Sequence, residues 1–214
     1  MRLTATPPVG PARSRASLVI ELERALRKAC ADLDAIEYAY ALVGGLAVSA
    51  RAEPRFTRDA DLAIAVRSDQ EAEAAVLALQ ARGYAVLAVV EQDATRRLAT
   101  VRLRGADPST IVDLLFASSG VEPEIVAEAE PMSIFPGFTL PVARTGHLLA
   151  MKLLARDDRN RPADADDLRA LREVAGNPDW DLASLAVKQI TERGYERGRD
   201  LAGALAHLRI HGAY

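Results

Sequence analysis

Three aspartates and a glycine pair have the types and spacing needed to hold a metal-bound triphosphate. Gly44 and Gly45 end a short apolar run, and backbone amides without side-chain bulk around them can receive phosphate oxygens. Asp59 and Asp61 open the next apolar run, where strand alternation sends both carboxylates to one face and toward a bound Mg²⁺. The pattern therefore predicts a phosphate and metal site at one edge of a β-sheet.

A third aspartate, Asp113, lies inside the apolar segment 111–115. Burying an ionised carboxylate without a partner is unfavourable, so we expect Asp113 to have a partner such as a metal ion or a cation. The functional interpretation is a third metal ligand that also accepts a proton from an attacking hydroxyl. The alternative is an aspartate at a strand end that caps a turn or pairs with an arginine. The glycine pair and the two aspartates upstream favour the functional interpretation.

These residues require a framework of alternating strands and helices, which the hydrophobic periodicity supplies. The apolar residues predict helices at 17–36, 45–51 and a segment ended by Gly83, and strands at 40–43, 59–66, 84–90, 98–103 and 110–116. Elements of these lengths in mixed order predict an α+β fold, with a mixed β-sheet flanked by helices.

Beyond Gly120 the pattern changes, because four prolines interrupt short extended pieces before helical periodicity returns. Helices are predicted at 145–155 and 164–174, with two more after Pro178 and Gly194. We therefore expect a flexible N-terminal tail over 1–17, a core domain over 18–142 and a helical C-terminal subdomain over 143–214.

Composition narrows the functional classes. Half of the 214 residues are apolar, the net charge is -3 and the pI is near 5.7, which argues against a protein that binds duplex DNA through an overall positive surface. No apolar stretch reaches the roughly 18 residues that cross a bilayer, so we expect a cytoplasmic protein without a membrane span. The single cysteine, Cys30, excludes an internal disulfide, and the histidines are predicted at helix surfaces or ends.

The order of strand, glycine pair, helix, Asp-x-Asp and later strand aspartate resembles the DNA polymerase β-like nucleotidyltransferase superfamily. Three further segments, 55–62, 149–159 and 164–168, make a narrower likeness. Together they resemble the AbiEii group of nucleotidyltransferase toxins, including the mycobacterial MenT toxins, over residues 36–175.

This resemblance implies a polymerase β-like nucleotidyltransferase core and a set of site residues. The implied catalytic residues are Asp59, Asp61, Asp113, Lys152 and Asp167. The residues expected to bind nucleotide are Gly44, Gly45, Thr57 and Lys152. Asp59, Asp61 and Asp113 are expected to hold Mg²⁺ or Mn²⁺.

Helix geometry supports the choice of Asp167 independently. At about 100° per residue, Leu168 and Leu171 mark an inward face, with Asp167 at its edge and Asp166 pointing away. Asp164 follows a proline and an alanine, so it is interpreted as an N-cap.

Lys152 lies on an apolar predicted helix, where its ammonium either extends to solvent or reaches into a cleft. The family resemblance favours the cleft and a contact with the triphosphate. Arginines near the site are candidate contacts for RNA, because the guanidinium forms forked hydrogen bonds with phosphate. They are Arg55, Arg58, Arg156 and Arg159, and the alternative is that each is an ordinary solvated side chain.

The reaction expected from these residues is transfer of a nucleoside monophosphate from an NTP to an acceptor hydroxyl. The resemblance implies an RNA acceptor, the tRNA 3′ end, with arrest of translation and a cognate antitoxin, as in a type IV-like toxin-antitoxin system. Two alternatives remain from the sequence. One is a nucleotidyltransferase that modifies a small molecule such as an antibiotic, and the other is a non-catalytic nucleotide-binding protein.

Overall fold

The computed structural model describes residues 14–55, 57, 59–105, 111–156 and 163–212. The N-terminal tail prediction therefore falls mostly outside the described residues. In chain order the elements are α1 (Arg15–Ala35), β1 (Tyr40–Val43), α2 (Gly44–Arg51), β2 (Ala60–Ile64), α3 (Asp69–Gln80), β3 (Ala85–Glu91), β4 (Leu98–Arg104), β5 (Ile111–Leu115), α4 (Glu122–Ala127), β6 (Glu130–Phe135), β7 (Phe138–Val142), α5 (Thr145–Ala155), α6 (Ala163–Val174), α7 (Asn177–Glu192) and α8 (Leu201–His211).

Within these residues one seven-stranded sheet has the order β3-β4-β5-β2-β1-β7-β6. Strand β2 is antiparallel to β1 and parallel to β5, while β4 is antiparallel to β5. The sheet is therefore mixed, and the predicted α+β fold with flanking helices is confirmed.

The central strands are apolar because both of their faces are covered. All four residues of β1 are buried, and so is most of β2. Helices α1, α2 and α4 all contact β2, which places that strand at the middle of the hydrophobic core. A strand covered in this way tolerates a charged residue only at its end or where a partner is supplied.

The prediction of extended chain around Pro123 was wrong. Helix α4 was not predicted, since Pro123 was interpreted as an interruption of extended chain. In the structure Pro123 lies in the first turn of α4. Backbone N–H groups in the first turn of a helix form no hydrogen bonds within the helix, so proline is tolerated there. Pro131 and Pro141 lie in the β6–β7 hairpin, with β6 at the edge of the sheet.

The C-terminal helices assemble around α5, which matches its predicted range of 145–155. Helices α6, α7 and α8 each pack against α5, and α2 contacts both α5 and α6. The helix that follows the glycine pair is thus in direct contact with the C-terminal helices. The boundary at residue 143 between core and C-terminal subdomain stays a prediction.

The thiol of Cys30 is buried and reduced, and burial raises its pKa to about 11. In the part of the chain that the structure describes, no helix is long and apolar enough to cross a membrane.

His147 does not lie on a helix surface as predicted, because α5 is buried on nearly every side. Its side chain is 1% exposed, and burial lowers the pKa of the imidazole below its ordinary value of 6.5. The nearby Arg144 lowers this pKa further, while Glu128 and Glu124 raise it. His147 is therefore neutral in the folded protein at neutral pH.

This burial predicts a pH dependence of stability. Because the pKa of His147 is lower in the folded chain than in the unfolded chain, the unfolded chain binds more protons as the pH falls through about 6.5, and the folded state loses stability. Replacing His147 with leucine should remove this contribution. Urea unfolding between pH 8 and pH 5 should show a steeper loss for the wild type than for His147→Leu, and parallel profiles would contradict the assignment.

Candidate active site

A cleft of about 790 Å³ opens where β1 ends, beside β2 and β5. Helices α2, α5 and α6 also contribute to its wall, together with strand β4, the segment between β5 and α4, and the turn between α7 and α8. Most of the predicted site residues meet here. The predicted residues that line the cleft are Gly44, Gly45, Arg55, Thr57, Asp59, Asp61, Asp113 and Lys152.

The glycine pair forms the turn from β1 into α2. Gly44 has φ +66°, a left-handed conformation that glycine adopts without steric cost. A β-carbon on Gly44 would lie 2.0 Å from an Oδ2 atom of Asp61, so the carboxylate packs directly against the glycine backbone. A β-carbon on Gly45 would lie 2.5 Å from Nη2 of Arg55 and 3.2 Å from Oγ1 of Thr57. The turn therefore requires small residues for contact as well as for conformation.

Replacing Gly44 with alanine should disrupt nucleotide binding. The substitution adds backbone strain of roughly 1–2 kcal/mol and pushes the side chain of Asp61 out of position. Gly83 offers a matched control, since it also has a positive φ but a β-carbon there meets nothing within 4 Å. In urea, Gly83→Ala should lose the stability that backbone strain alone costs and Gly44→Ala at least as much, while only Gly44→Ala should lose affinity for a fluorescent NTP analogue. Equal binding by the two variants would contradict the contact.

The aspartates converge because of strand register. Asp61 on β2 pairs with Asp113 on β5, and parallel neighbours of this kind lie about 4.8 Å apart. Asp59 directly precedes β2, two positions before Asp61, and both residues line the cleft. Val43, the residue before the glycine pair, is opposite Asp61 on the other neighbouring strand. The structure thus brings the three aspartates and the glycine turn to one place.

Asp113 is held by an arginine. Nε of Arg102 donates to Oδ1 of Asp113 at 2.8 Å, and Nη2 of Arg102 donates to Oδ2 at 2.6 Å. The hydrogen bonds with Asp113 are the main reason why the pKa of Arg102 is raised, and Asp59 and Asp61 raise it further. The structure therefore shows the alternative in which Asp113 pairs with an arginine. The roles of Asp113 as metal ligand and as proton acceptor stay predictions.

The chemistry of the remaining carboxylates fits a divalent cation. Asp59 and Asp61 supply oxygen ligands, the type that Mg²⁺ and Mn²⁺ prefer. Over the described ranges, however, no group of three His, Cys, Asp or Glu side chains is arranged to hold an ion. Asp59 and Asp61 fit the ion, while the carboxylate of Asp113 is engaged by Arg102.

A second charged cluster lies across the cleft, under Lys152. Nζ of Lys152 is 2.8 Å from Oδ1 of Asp164 and 2.7 Å from Oδ2 of Asp167. Asp167 also accepts two hydrogen bonds from Arg55, from Nε at 2.5 Å and from Nη2 at 2.7 Å. Lys152 is 8% exposed and Asp167 is 1% exposed. The two negative charges of Asp164 and Asp167 are thus balanced by the two positive charges of Lys152 and Arg55, and buried charges require such pairing.

The structure corrects the interpretation of Asp164. This residue lies inside α6, one position after its first residue, and its buried carboxylate contacts Lys152 instead of capping the helix. The three-residue spacing of Asp164 and Asp167 places both on one helical face, and this spacing was the available signal. Asp166 is exposed, as the helix geometry predicted, and it pairs with Arg169.

The predicted RNA contacts have different outcomes. Arg58 and Arg159 lie outside the described residues. Arg156 is half-buried at the end of α5. Arg55 has its guanidinium committed to Asp167, and this hydrogen bonding is the main reason why its pKa is raised. A contact between RNA and Arg55 would have to coexist with this ion pair.

Several cleft residues were not predicted as site residues. Arg102 was one of many arginines near the motif, and only the pairing of β4 with β5 singles it out. Arg197 comes from the turn between α7 and α8, donates to the carbonyl of Ser118 at 3.0 Å and lines the cleft. Ser119, which also lines the cleft, donates to the buried carboxylate of Glu122. No local sequence pattern marks Arg197 or Ser119.

A glycine turn leading into a helix, beside paired aspartates on the adjoining strands of a mixed sheet, is the arrangement that the sequence analysis predicted for a nucleotidyltransferase. Comparison with protein-family models gives the family. The model described as "Nucleotidyl transferase AbiEii toxin, Type IV TA system" matches residues 24–209, and the chain belongs to this family. It is therefore a nucleotidyltransferase enzyme. A comparison with curated proteins gave no match.

Solved nucleotidyltransferases show weaker similarity. The lincomycin-bound lincosamide antibiotic adenylyltransferase LnuA is 14% identical, with a TM-score of 0.45 over 72% of this chain and 98% of that chain. The antibiotic-resistance factor ANT(2'')-Ia is 17% identical, with a TM-score of 0.45 over 88% and 96%. A putative nucleotidyltransferase from H. pylori is 15% identical, with a TM-score of 0.43 over 90% and 92%. Similarity at this level carries no argument about substrate.

Proposed function

We propose that this enzyme transfers a nucleoside monophosphate from an NTP to an RNA hydroxyl, with the tRNA 3′ end as acceptor, and so blocks translation. The observation that carries the proposal is the adjacency of Asp61 and Asp113 beside the glycine turn in one cleft. The family description supports the toxin role.

The glycine turn is suited to the phosphates of the nucleotide. Gly44 and Gly45 start α2, where amides at a helix N-terminus attract anions. The absence of side chains lets a phosphate approach the backbone closely. We assign the β and γ phosphates to this turn.

Asp59 and Asp61 would hold Mg²⁺ or Mn²⁺, which when bound neutralises negative charge that develops on the phosphate oxygens. When no ion is bound, the carboxylates of Asp59 and Asp61 make this part of the cleft negatively charged. A free NTP is repelled by this charge, whereas one that carries a divalent cation is attracted.

Lys152 lines the opposite wall of the cleft, and Asp167 is buried in contact with it. The ammonium of Lys152 has three N–H donors. Two of them are directed at Asp164 and Asp167, and the third would donate to a phosphate oxygen. Asp167 positions both Lys152 and Arg55, and Arg55 lies against Gly45 and near Thr57. We therefore assign Asp167 a positioning role and Thr57 a place beside the nucleotide.

The toxin role implies partners. The family belongs to a type IV toxin-antitoxin system, so we propose a cognate antitoxin and action in the cytoplasm, where tRNA is aminoacylated. Arg55, Arg58, Arg156 and Arg159 stay candidate RNA contacts.

One incubation tests the acceptor. The purified chain is mixed with each of the four NTPs carrying a label on the α phosphate, with Mg²⁺, and with either total RNA or a panel of aminoglycosides and lincosamides. Label on tRNA, placed at the 3′ end by sequencing, is the expected result. Label on an antibiotic would identify a small-molecule enzyme instead, and the lack of transfer with intact NTP binding would indicate a binding protein.

A further inference from the structure

The guanidinium of Arg102 lies among the three carboxylates where a cation would be expected. It forms two parallel hydrogen bonds with Asp113, at 2.8 and 2.6 Å, and it interacts electrostatically with Asp59 and Asp61. Such a forked pair holds both oxygens of the carboxylate in fixed positions. Arg102 occupies one lone pair on each oxygen of Asp113, so a metal ion that used the remaining lone pairs would have to bind directly beside the positive charge of the guanidinium.

Strand register keeps Arg102 in this place. Arg102 on β4 is directly opposite Asp113 on β5, and Asp113 is directly opposite Asp61 on β2. The three side chains therefore form a row across adjoining strands, with the arginine at the outer end. The backbone pairing of the three strands fixes where these side chains start, and the two hydrogen bonds with Asp113 hold the guanidinium at this edge of the cleft.

Charge balance agrees with this geometry. Three carboxylates close together are balanced by one guanidinium and one divalent cation. A second divalent cation would leave the empty cleft with excess positive charge before the nucleotide binds. Arginine stays charged at all pH values relevant to proteins, so it provides a permanent cation where a metal would be exchangeable.

We infer that Arg102 takes the place of a second divalent cation beside Asp113, so that each chain binds one divalent cation, at Asp59 and Asp61. This inference rests on the proposed function for the identity of the metal site. The donors of Arg102 that do not bond Asp113 would contact the phosphates or the acceptor hydroxyl, since Arg102 lines the cleft and its side chain is 43% exposed.

Mn²⁺ binding to the full chain tests the inference without any turnover. Free Mn²⁺ is measured by electron paramagnetic resonance as Mn²⁺ is titrated into the protein in the absence of nucleotide. The wild type should bind one Mn²⁺ per chain, and Asp113→Asn should bind this ion with unchanged affinity. Arg102→Gln should bind a second Mn²⁺, which the double variant Arg102→Gln/Asp113→Asn should lose again. Arg102→Lys, which keeps the charge, should remain at one.

Arg104→Gln is the matched control, since it removes the same charge from an exposed position two residues along β4 and should behave as the wild type. Two Mn²⁺ per wild-type chain, with one lost in Asp113→Asn, would overturn the inference, as would a single Mn²⁺ in Arg102→Gln. One bound Mn²⁺ in a wild type that transfers nothing to RNA would contradict the proposed function while supporting this inference. Absence of Mn²⁺ binding in every variant would contradict both.

Discussion

Replacing Asp167 with alanine should lower the free energy of unfolding by about 3–5 kcal/mol, because it leaves a buried lysine without one of its partners. Lys152 would keep Asp164, but Arg55 would lose both of its hydrogen bonds to Asp167. Urea unfolding at pH 7 measures the effect. The value should fall toward the lower end of this range, since Arg55 is partly exposed and can recover hydrogen bonds from water.

Asp166 provides a control one residue away on the same helix. Its carboxylate is exposed and pairs with Arg169, so Asp166→Ala should change stability by no more than about 0.5 kcal/mol. A loss of similar size in the two variants would mean that α6 responds to any charge removal, and that the cluster has no special role.

A double substitution separates the charge effect from packing. Arg55→Gln/Asp167→Asn removes one charge of each sign and leaves Lys152 paired with Asp164. If an unbalanced buried charge causes the loss, the double variant should be more stable than the sum of the single losses predicts. Strict additivity would show that the two residues contribute independently.

The sequence alone was enough to predict those parts of the site that depend on local pattern. The turn at Gly44 follows from the glycine pair after a strand, and the shared face of Asp59 and Asp61 follows from strand alternation. Helix α5 was predicted with its observed bounds because its apolar residues are continuous. Each of these features depends on residues that are close together in the chain.

The parts that were missed depend on which elements become neighbours. The partner of Asp113 is Arg102 because β4 lies antiparallel to β5, and nothing local to either strand fixes that register. Asp164 appeared to be an N-cap because a cap is the usual role at a helix start, whereas the packing of α5 against α6 brings Lys152 to it. His147 was misplaced for the same reason, since periodicity does not show that a helix is covered on every side.

Replacing Asp59 with asparagine should reduce nucleotidyl transfer by more than about 100-fold, since loss of a residue that only orients a metal ligand already costs about 10- to 100-fold. The substitution keeps the size of the side chain and removes the charge needed to bind a divalent cation. Asp59 and Asp61 lie two positions apart at the same edge of the cleft, so removal of one negative charge also relieves repulsion in the metal-free protein. The variant should therefore unfold at the same urea concentration as the wild type or at a higher one.

The measurement pairs transfer of label to RNA with urea unfolding on the same preparation. Glu53→Gln is the control, since it neutralises an exposed carboxylate just before the motif that does not line the cleft. It should retain wild-type transfer. Full activity in Asp59→Asn would contradict the metal-binding role of Asp59, because asparagine lacks the negative charge assigned to that role. Loss of activity together with loss of stability would instead assign Asp59 to the fold, and the comparison with Glu53→Gln distinguishes the two results.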